Sequence, residues 1–281
     1  MAITITSSEK QILQSVNIPP RPEALLLVSE EAKKPEPDLQ VIAKTIASDI
    51  SISAAVLQVV NSAAFRRAKE IESIQQAVMT LGLKRLLPLV KSVALKSAMG
   101  EADKLAKFWE EANLVASSAS IVARLIDKPN LSDNAYMLGL FHNAGIPIMM
   151  LIYDDFDNIL QFAQLNGWDK ACEKEREQYQ TSHTTISALL AQKWKLPAIM
   201  SEVIYYQHDT DGLFSSGELP DLGLDLMCIL KIARSVIFEQ ANTGQQSSEW
   251  VQIEDDVLAR LNVDEDYLED LRQQVMDELA D

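Results

Sequence analysis

Histidine and cysteine are scarce in this chain, with three of the former and two of the latter in 281 residues. Cys172 and Cys228 stand alone, without C-x-x-C spacing or an even disulfide framework. That excludes a disulfide-stapled secreted scaffold and a dithiol redox site, and it fits a reducing cytosol with both thiols as buried fillers. Glycine (9) and proline (10) are too few to supply the turns of a sandwich or barrel, so the expected fold class is all-α. Gly-x-Ser-x-Gly, Walker A and G-x-G-x-x-G patterns are missing too, which removes the common esterase, nucleotidase and dinucleotide chemistries. Basic charge is short: 25 Lys and Arg face 41 Asp and Glu, a formal net charge of −16. Such a surface repels phosphate backbones and anionic lipid, so no nucleic-acid or membrane partner is expected. The most apolar stretch, Tyr136 to Tyr153, is broken by His142, Asn143 and Pro147, and no charged leader precedes an apolar run. The expected location is therefore cytoplasmic.

Helical signals are plentiful. Ser8 with Gln11 and Ser73 with Gln76 have capping-box spacing, in which side chain and backbone satisfy one another's free amide donors. Asp38 is placed to cap a helix whose Leu39, Ile42, Ala43 and Ile46 repeat on one face. Serines within Asp49 to Ser53 are placed to cap a helix from Ala54 towards Ala64. Ile74, Ala77, Val78 and Leu81 form another buried stripe, closed by Gly82 as a left-handed C-terminal cap. Further helices are expected over 84–99, 103–126, 133–151, 156–165, 170–180, 183–194, 198–207 and 222–240, with a surface loop at 209–220. The tryptophans at 109, 168, 194 and 250 are widely spaced and read as separate core anchors.

Charge is uneven along the chain. From Glu249 to Asp281 twelve acidic residues meet only Arg260 and Arg272. The tail also carries an apolar stripe, Val257, Leu258, Leu261, Leu268, Leu271, Val275 and Leu279, that favours packing on the body. Arg66, Arg67, Lys69, Lys84, Arg85 and Lys91 form a basic cluster in the first third. An ordinary solvated surface explains most of this pattern; the cluster is also the candidate surface for an acidic protein partner.

Three segments, IPPRPEALLLVSEEAKKPEPDLQVIAKTIASDISISAAVLQVVNSAAF, IESIQQAVMTLGLKRLLPLV and YMLGLFHNAGIPIMM, together resemble the HDOD family, the non-catalytic relatives of bacterial HD-type phosphohydrolases. The resemblance runs from about Ile18 to His208 and weakens beyond. It implies a two-lobed multi-helix bundle. An N-terminal segment (1–16) precedes an HDOD domain (17–242) with an N-terminal lobe to about 99 and an HD-like lobe from about 100. An acidic helical tail (243–281) follows. Asn61, Ser62, Phe65 and Gly82 match the family's signature turns, as structural or partner-contact residues. Asn61 is expected to cap its helix in a left-handed conformation.

The resemblance also implies a remnant of the hydrolase site, in which a metal supplies activated water and clamps phosphate oxygens. The matching positions here are Glu111, His142, Asn143, His183, Gln207, His208 and Arg234. Asn143 replaces the carboxylate of the His-Asp pair, and Arg234 puts a fixed cation where the last acidic ligand belongs. No catalytic residue, metal or cofactor is therefore expected. For His142, His183 and His208 three readings stand: imidazoles hydrogen-bonded within the core, a polar pocket repurposed for a small ligand, or a three-imidazole zinc site.

The expected function is that of a non-catalytic bacterial signalling module, a pseudoenzyme working through protein contacts. Its partners would be signalling proteins of a cyclic-dinucleotide or two-component pathway, and a small ligand in the remnant cleft would gate it. The alternatives are a residual metal-dependent phosphohydrolase acting on a nucleotide or cyclic dinucleotide, and a nucleotide sensor without turnover.

Overall fold

The computed structural model describes residues 23–48, 50–61, 71–99, 103–194, 196–210 and 212–280. The expectations for Ser8, Gln11, Ser62, Phe65, Arg66, Arg67 and Lys69 lie outside them. Among the described residues there are helices and no strands. They divide into two compact units, 23–109 with 278–280, and 110–277.

The first unit is built from α1 (Glu23–Glu31), α2 (Leu39–Ala47), α3 (Ile50–Val60) and α4 (Ile74–Met99). Asp38 caps α2, accepting from the amides of Gln40 at 2.8 Å and Val41 at 3.2 Å. Ile42, Ala43 and Ile46 are buried beneath it, as the spacing predicts. Ser73 accepts from the Gln76 amide at 3.1 Å while Gln76 reaches back to the Glu72 amide at 2.8 Å, and Ile74, Ala77, Val78 and Leu81 are buried. Helix α4 is interrupted at Gly82, whose φ of 70° and ψ of 168° give an extended positive-φ kink where a left-handed cap was expected. A side chain rarely adopts that φ, and glycine bears it without a steric penalty.

Two local readings need correction. Helix α3 begins at Ile50, and Ser53 donates to the Ile46 carbonyl at 2.9 Å, tying α3 to α2 where an N-cap was expected. Asn61 does not have a positive φ. Its amide instead pairs with the backbone of Ile71 in both directions, each bond 2.9 Å, and pins the two ends of the 61–71 connection. A side-chain amide can mimic a peptide group this way.

The second unit contains most of α5 (Asp103–Leu125), then α6 (Ser132–Phe141), α7 (Gly145–Ile152), α8 (Phe156–Asn166), α9 (Trp168–Tyr179), α10 (His183–Lys193), α11 (Ala198–Tyr206), α12 (Asp221–Ala241), α13 (Ser248–Leu261) and α14 (Glu265–Ala280). The helix expected over 133–151 is two helices, α6 and α7, with His142, Asn143 and Ala144 at the break. The apolar run 129–152 has the length and hydropathy of a membrane span, but 83% of its most apolar window is buried by protein, as in a core.

Two glycines flank the break. A Cβ on Gly139 would lie 2.6 Å from the Ala116 Cα, and one on Gly145 would lie 2.2 Å from the His183 carbonyl oxygen. Only a bare Cα permits α6 to approach α5, and α7 to approach α10, so closely. The Gly145 amide donates to Ser187 Oγ at 2.7 Å, which fixes the α7 and α10 contact beside His142.

The acidic tail packs on α12. Trp250, Ile253, Val257, Leu258, Leu268, Leu271 and Val275 are buried, while Leu261 and Leu279 are half-buried. Both tail arginines engage the body: Arg260 bridges Asp221 and Asp225, and Arg272 pairs with Glu239 and covers the Trp250 ring.

Candidate functional site: a buried histidine and glutamate network

His183 opens α10 and is fully buried. Its backbone amide donates to Glu175 Oε2 at 2.6 Å, and its Nδ1 lies 2.9 Å from both Glu175 oxygens. Because Nδ1 faces a carboxylate, it carries the proton, and Nε2 is left with a lone pair. That Nε2 lies 3.2 Å from Nε2 of His208. His208 repeats the pattern, its Nδ1 2.9 Å from Glu249 Oε2. The result is a symmetric chain, Glu175, His183, His208 and Glu249, with every side chain buried.

Helix α9 supplies one wall. Trp168, Cys172 and Glu175 recur at i, i+4 and i+7 and share one helical face. The Trp168 indole lies against both imidazoles, at centroid distances of 4.7 Å to His183 and 5.6 Å to His208. It is thus a wall of the site, where a separate core anchor was expected; Trp194 and Trp250 are core anchors, and the Trp109 side chain lies outside the described atoms. Cys172 Sγ lies 3.9 Å from His183 Nδ1, and Cys172, His183 and His208 each offer a ligand atom within 4.8 Å of the others.

Helices α12 and α13 close the opposite side. Glu249 comes from the tail and enters the core at the first turn of α13, where Ser247 caps the helix. It accepts from Lys231 Nζ at 2.6 Å and from Arg234 Nη1 at 2.9 Å. Burial pushes the Glu249 carboxyl up, but Arg234, Lys231 and His208 outweigh it and hold the group well below the carboxylate range. Burial lowers Lys231 from its ordinary value, and Glu249 opposes that shift. Burial holds His208 well below the imidazole range, against the pull of Glu249. The Cys172 thiol is raised well above its ordinary value by burial first and Glu175 second.

His142 stands apart from the imidazole pair. Its Nδ1 donates to the Gly139 carbonyl at 2.6 Å, and its own carbonyl accepts from Gln207 Nε2 at 2.7 Å. Burial, then the Arg234 charge, pulls its pKa down to about 3. Gln207 also reaches Asn143 Oδ1 at 3.4 Å. Glu111 is exposed on α5 and takes no part in this network, contrary to the position inferred from the resemblance. A three-imidazole zinc site is not what the structure assembles, since the thiol of Cys172, and not His142, completes the close cluster.

The metal that hydrolase relatives imply does not fit at His142, Asn143 and Arg234. Asn143 offers a neutral amide already turned to Gln207, and Arg234 puts a guanidinium 3.4 Å from His208 Nδ1. A divalent ion on that side would meet a fixed positive charge in a low-dielectric site. Glu175, Glu249, Lys231, Cys172 and Trp168 were not identified from the sequence. For α9 the i, i+4, i+7 spacing of Trp, Cys and Glu was the available signal; Glu249 had none, being one acidic residue among twelve in the tail.

Comparison with known proteins agrees with this architecture. The HDOD domain family matches residues 18–210. An uncharacterised protein of Treponema pallidum (strain Nichols) is 27% identical over 194 residues, which is 69% of this chain and only 38% of that longer protein. A Shewanella amazonensis SB2B structure assigned as a phosphohydrolase superposes with a TM-score of 0.72 at 21% identity, covering 97% of this chain and 94% of that one. A structure from Marinobacter aquaeolei VT8, assigned to signal transduction, gives 0.67 at 20% identity, covering 96% of this chain and 60% of that one. At these identities the structural likeness is one of fold.

Proposed function

The chain belongs to the HDOD family, and from that premise we propose that it is a non-catalytic, cytoplasmic bacterial signalling module that works through protein contacts. One observation carries the reading: Arg234 stands where the family resemblance places an acidic metal ligand, and its charge is met by a carboxylate of the protein's own tail. Glu249 holds Lys231 and Arg234 together, so the two cations that would greet a phosphate are already engaged by a carboxylate of the chain itself. A small anionic ligand would have to displace Glu249 and with it the first turn of α13, which would report occupancy of the cleft to the tail. Partners of a cyclic-dinucleotide or two-component pathway fit this role. Lys84 and Arg85 are exposed and Lys91 half-buried on α4, and they supply the described part of the basic surface for an acidic partner.

The test is a turnover assay of the full chain, loaded with manganese or magnesium, against nucleotides, cyclic dinucleotides and p-nitrophenyl phosphate. No turnover above the protein-free rate is expected. Turnover that disappears in His142→Ala would replace this reading with a residual phosphohydrolase. A charge-reversed chain, Lys84→Glu with Arg85→Glu, is expected to lose its cellular partner in a cross-linked pull-down. Retention of every partner would remove that surface.

A further inference from the structure

The two imidazole Nε2 atoms are the least explained feature of the molecule. Each ring gives its Nδ1 proton to a carboxylate, so two lone pairs face one another at 3.2 Å inside the core. A cation between them would satisfy both lone pairs, and the surroundings are prepared for one. Carboxylates that orient a ring through Nδ1 are the usual partners of metal-bound histidines, and here both rings have one. Two nitrogens held about 2.0–2.1 Å from a tetrahedral zinc stand roughly 3.3–3.4 Å apart, close to the spacing seen. A buried thiol, Cys172, lies within 4.8 Å of both rings. From this geometry we propose that Cys172, His183 and His208 bind one zinc ion, with Glu175 and Glu249 as the carboxylates that orient the two rings.

This set keeps His183 and His208 from the inherited positions but omits His142 and Asn143, and it recruits Cys172 from α9, which the family resemblance does not assign. Arg234 approaches His208 at Nδ1, whereas the zinc is held at Nε2, so the ring stands between the two cations. Glu175 and Glu249 balance Lys231 and Arg234. A zinc dication with a Cys172 thiolate, its proton released to solvent, adds a single net positive charge to that balance. Three protein donors suit a four-coordinate ion with a water in the last position. The donor set, two imidazoles and a thiolate, selects zinc over magnesium or manganese.

The proposal does not depend on the signalling reading, since metal retention and turnover are separate measurements. The full chain is produced in zinc-supplemented medium, purified without chelator and dialysed against metal-free buffer. Equimolar zinc is expected by mass spectrometry of the metal. After replacement by cobalt(II), a thiolate-to-cobalt charge-transfer band in the near ultraviolet is expected, with the visible bands of a tetrahedral ion. Cys172→Ser should abolish the charge-transfer band and weaken zinc binding by about 10-fold or more, judged by analogy with the losses on altering a metal site's surroundings. Cys228→Ser, with its thiol on another helix, should change neither. His208→Ala should release the metal; if that variant does not fold by circular dichroism, Cys172→Ser and Cys172→Ala decide the matter alone. A folded wild-type chain that takes up no zinc, a cobalt spectrum untouched by Cys172→Ser, or a metal that follows His142 instead of Cys172 would overturn the assignment.

Discussion

Among the described residues, Asp38, Ser73 and Asn61 of the unit 23–109 make polar contacts close in sequence, whereas several within 110–277 reach far along the chain. In the first unit Asp38 caps the two residues after it, Ser73 pairs with Gln76, and Asn61 grips Ile71 ten positions away. In the second unit His208 meets Glu249 across 41 positions, Gln207 meets His142 across 65, and Lys128 meets Asp225 across 97. The first unit uses polar groups as punctuation, ending and starting helices at the surface. The second buries them, and buried polar groups are tolerated only when partners are supplied from elsewhere in the chain. The difference teaches that these polar contacts of one unit are satisfied by near neighbours, whereas those of the other need partners supplied by its last helices.

The sharpest way to break this comparison is Glu249→Ala. Removing the carboxylate leaves Lys231 and Arg234 buried or half-buried without their anion, and stability should fall by about 3–5 kcal/mol. Urea denaturation of the two proteins measures it. A loss no larger than a surface substitution gives would mean that the tail is dispensable to the unit.

Gly145→Ala comes next. The new Cβ would meet the His183 carbonyl oxygen at 2.2 Å and force α7 and α10 apart, for an expected loss of about 1–3 kcal/mol. Hydrogen exchange of the α7 and α10 amides should accelerate together.

Acid should destabilise the second unit through His142. Its folded pKa of about 3 lies below its unfolded value near 6.5, so the unfolded chain binds a proton that the folded one refuses. Above the unfolded value the group contributes nothing to pH dependence. As pH falls from 6.5 towards 3, stability should drop by about 1.4 kcal/mol per pH unit from this group. His142→Gln should flatten the slope in that window, read from denaturation midpoints at several pH values. An unchanged slope would place the titration elsewhere.

The smallest effect belongs to the local unit. Asn61→Ala deletes two hydrogen bonds to the Ile71 backbone and should cost about 1–2 kcal/mol, confined to the 61–71 connection and the start of α4. If it instead unfolds the chain as thoroughly as Glu249→Ala, the contrast between local and long-range polar contacts fails.

Much of this was legible in advance. Asp38, Ser73 with Gln76, and the stripes beneath α2 and α4 follow from rules that act over one or two helical turns. The position of Gly82 was legible as well, although its backbone is extended. Arg234 and Asn143 could be flagged because the resemblance gave each a position to be wrong at. Asn61 differs from expectation because its side-chain amide pairs with the Ile71 backbone, a partner ten positions on that no local capping rule specifies. Glu249 was invisible because nothing in twelve similar acidic residues marks the one that will be buried.

What the amino-acid order determined by itself is a chain of helices and most of their inward faces, since each depends on neighbours within a few residues. The family resemblance added the expectation that Asn143 and Arg234 occupy positions where hydrolase relatives carry acids. Only the tertiary structure decided that two imidazoles face one another between two glutamates, that a thiol stands beside them, and that the tail's Glu249 holds Lys231 and Arg234. Those choices depend on which helices meet, and burial makes charge pairing obligatory only where they do.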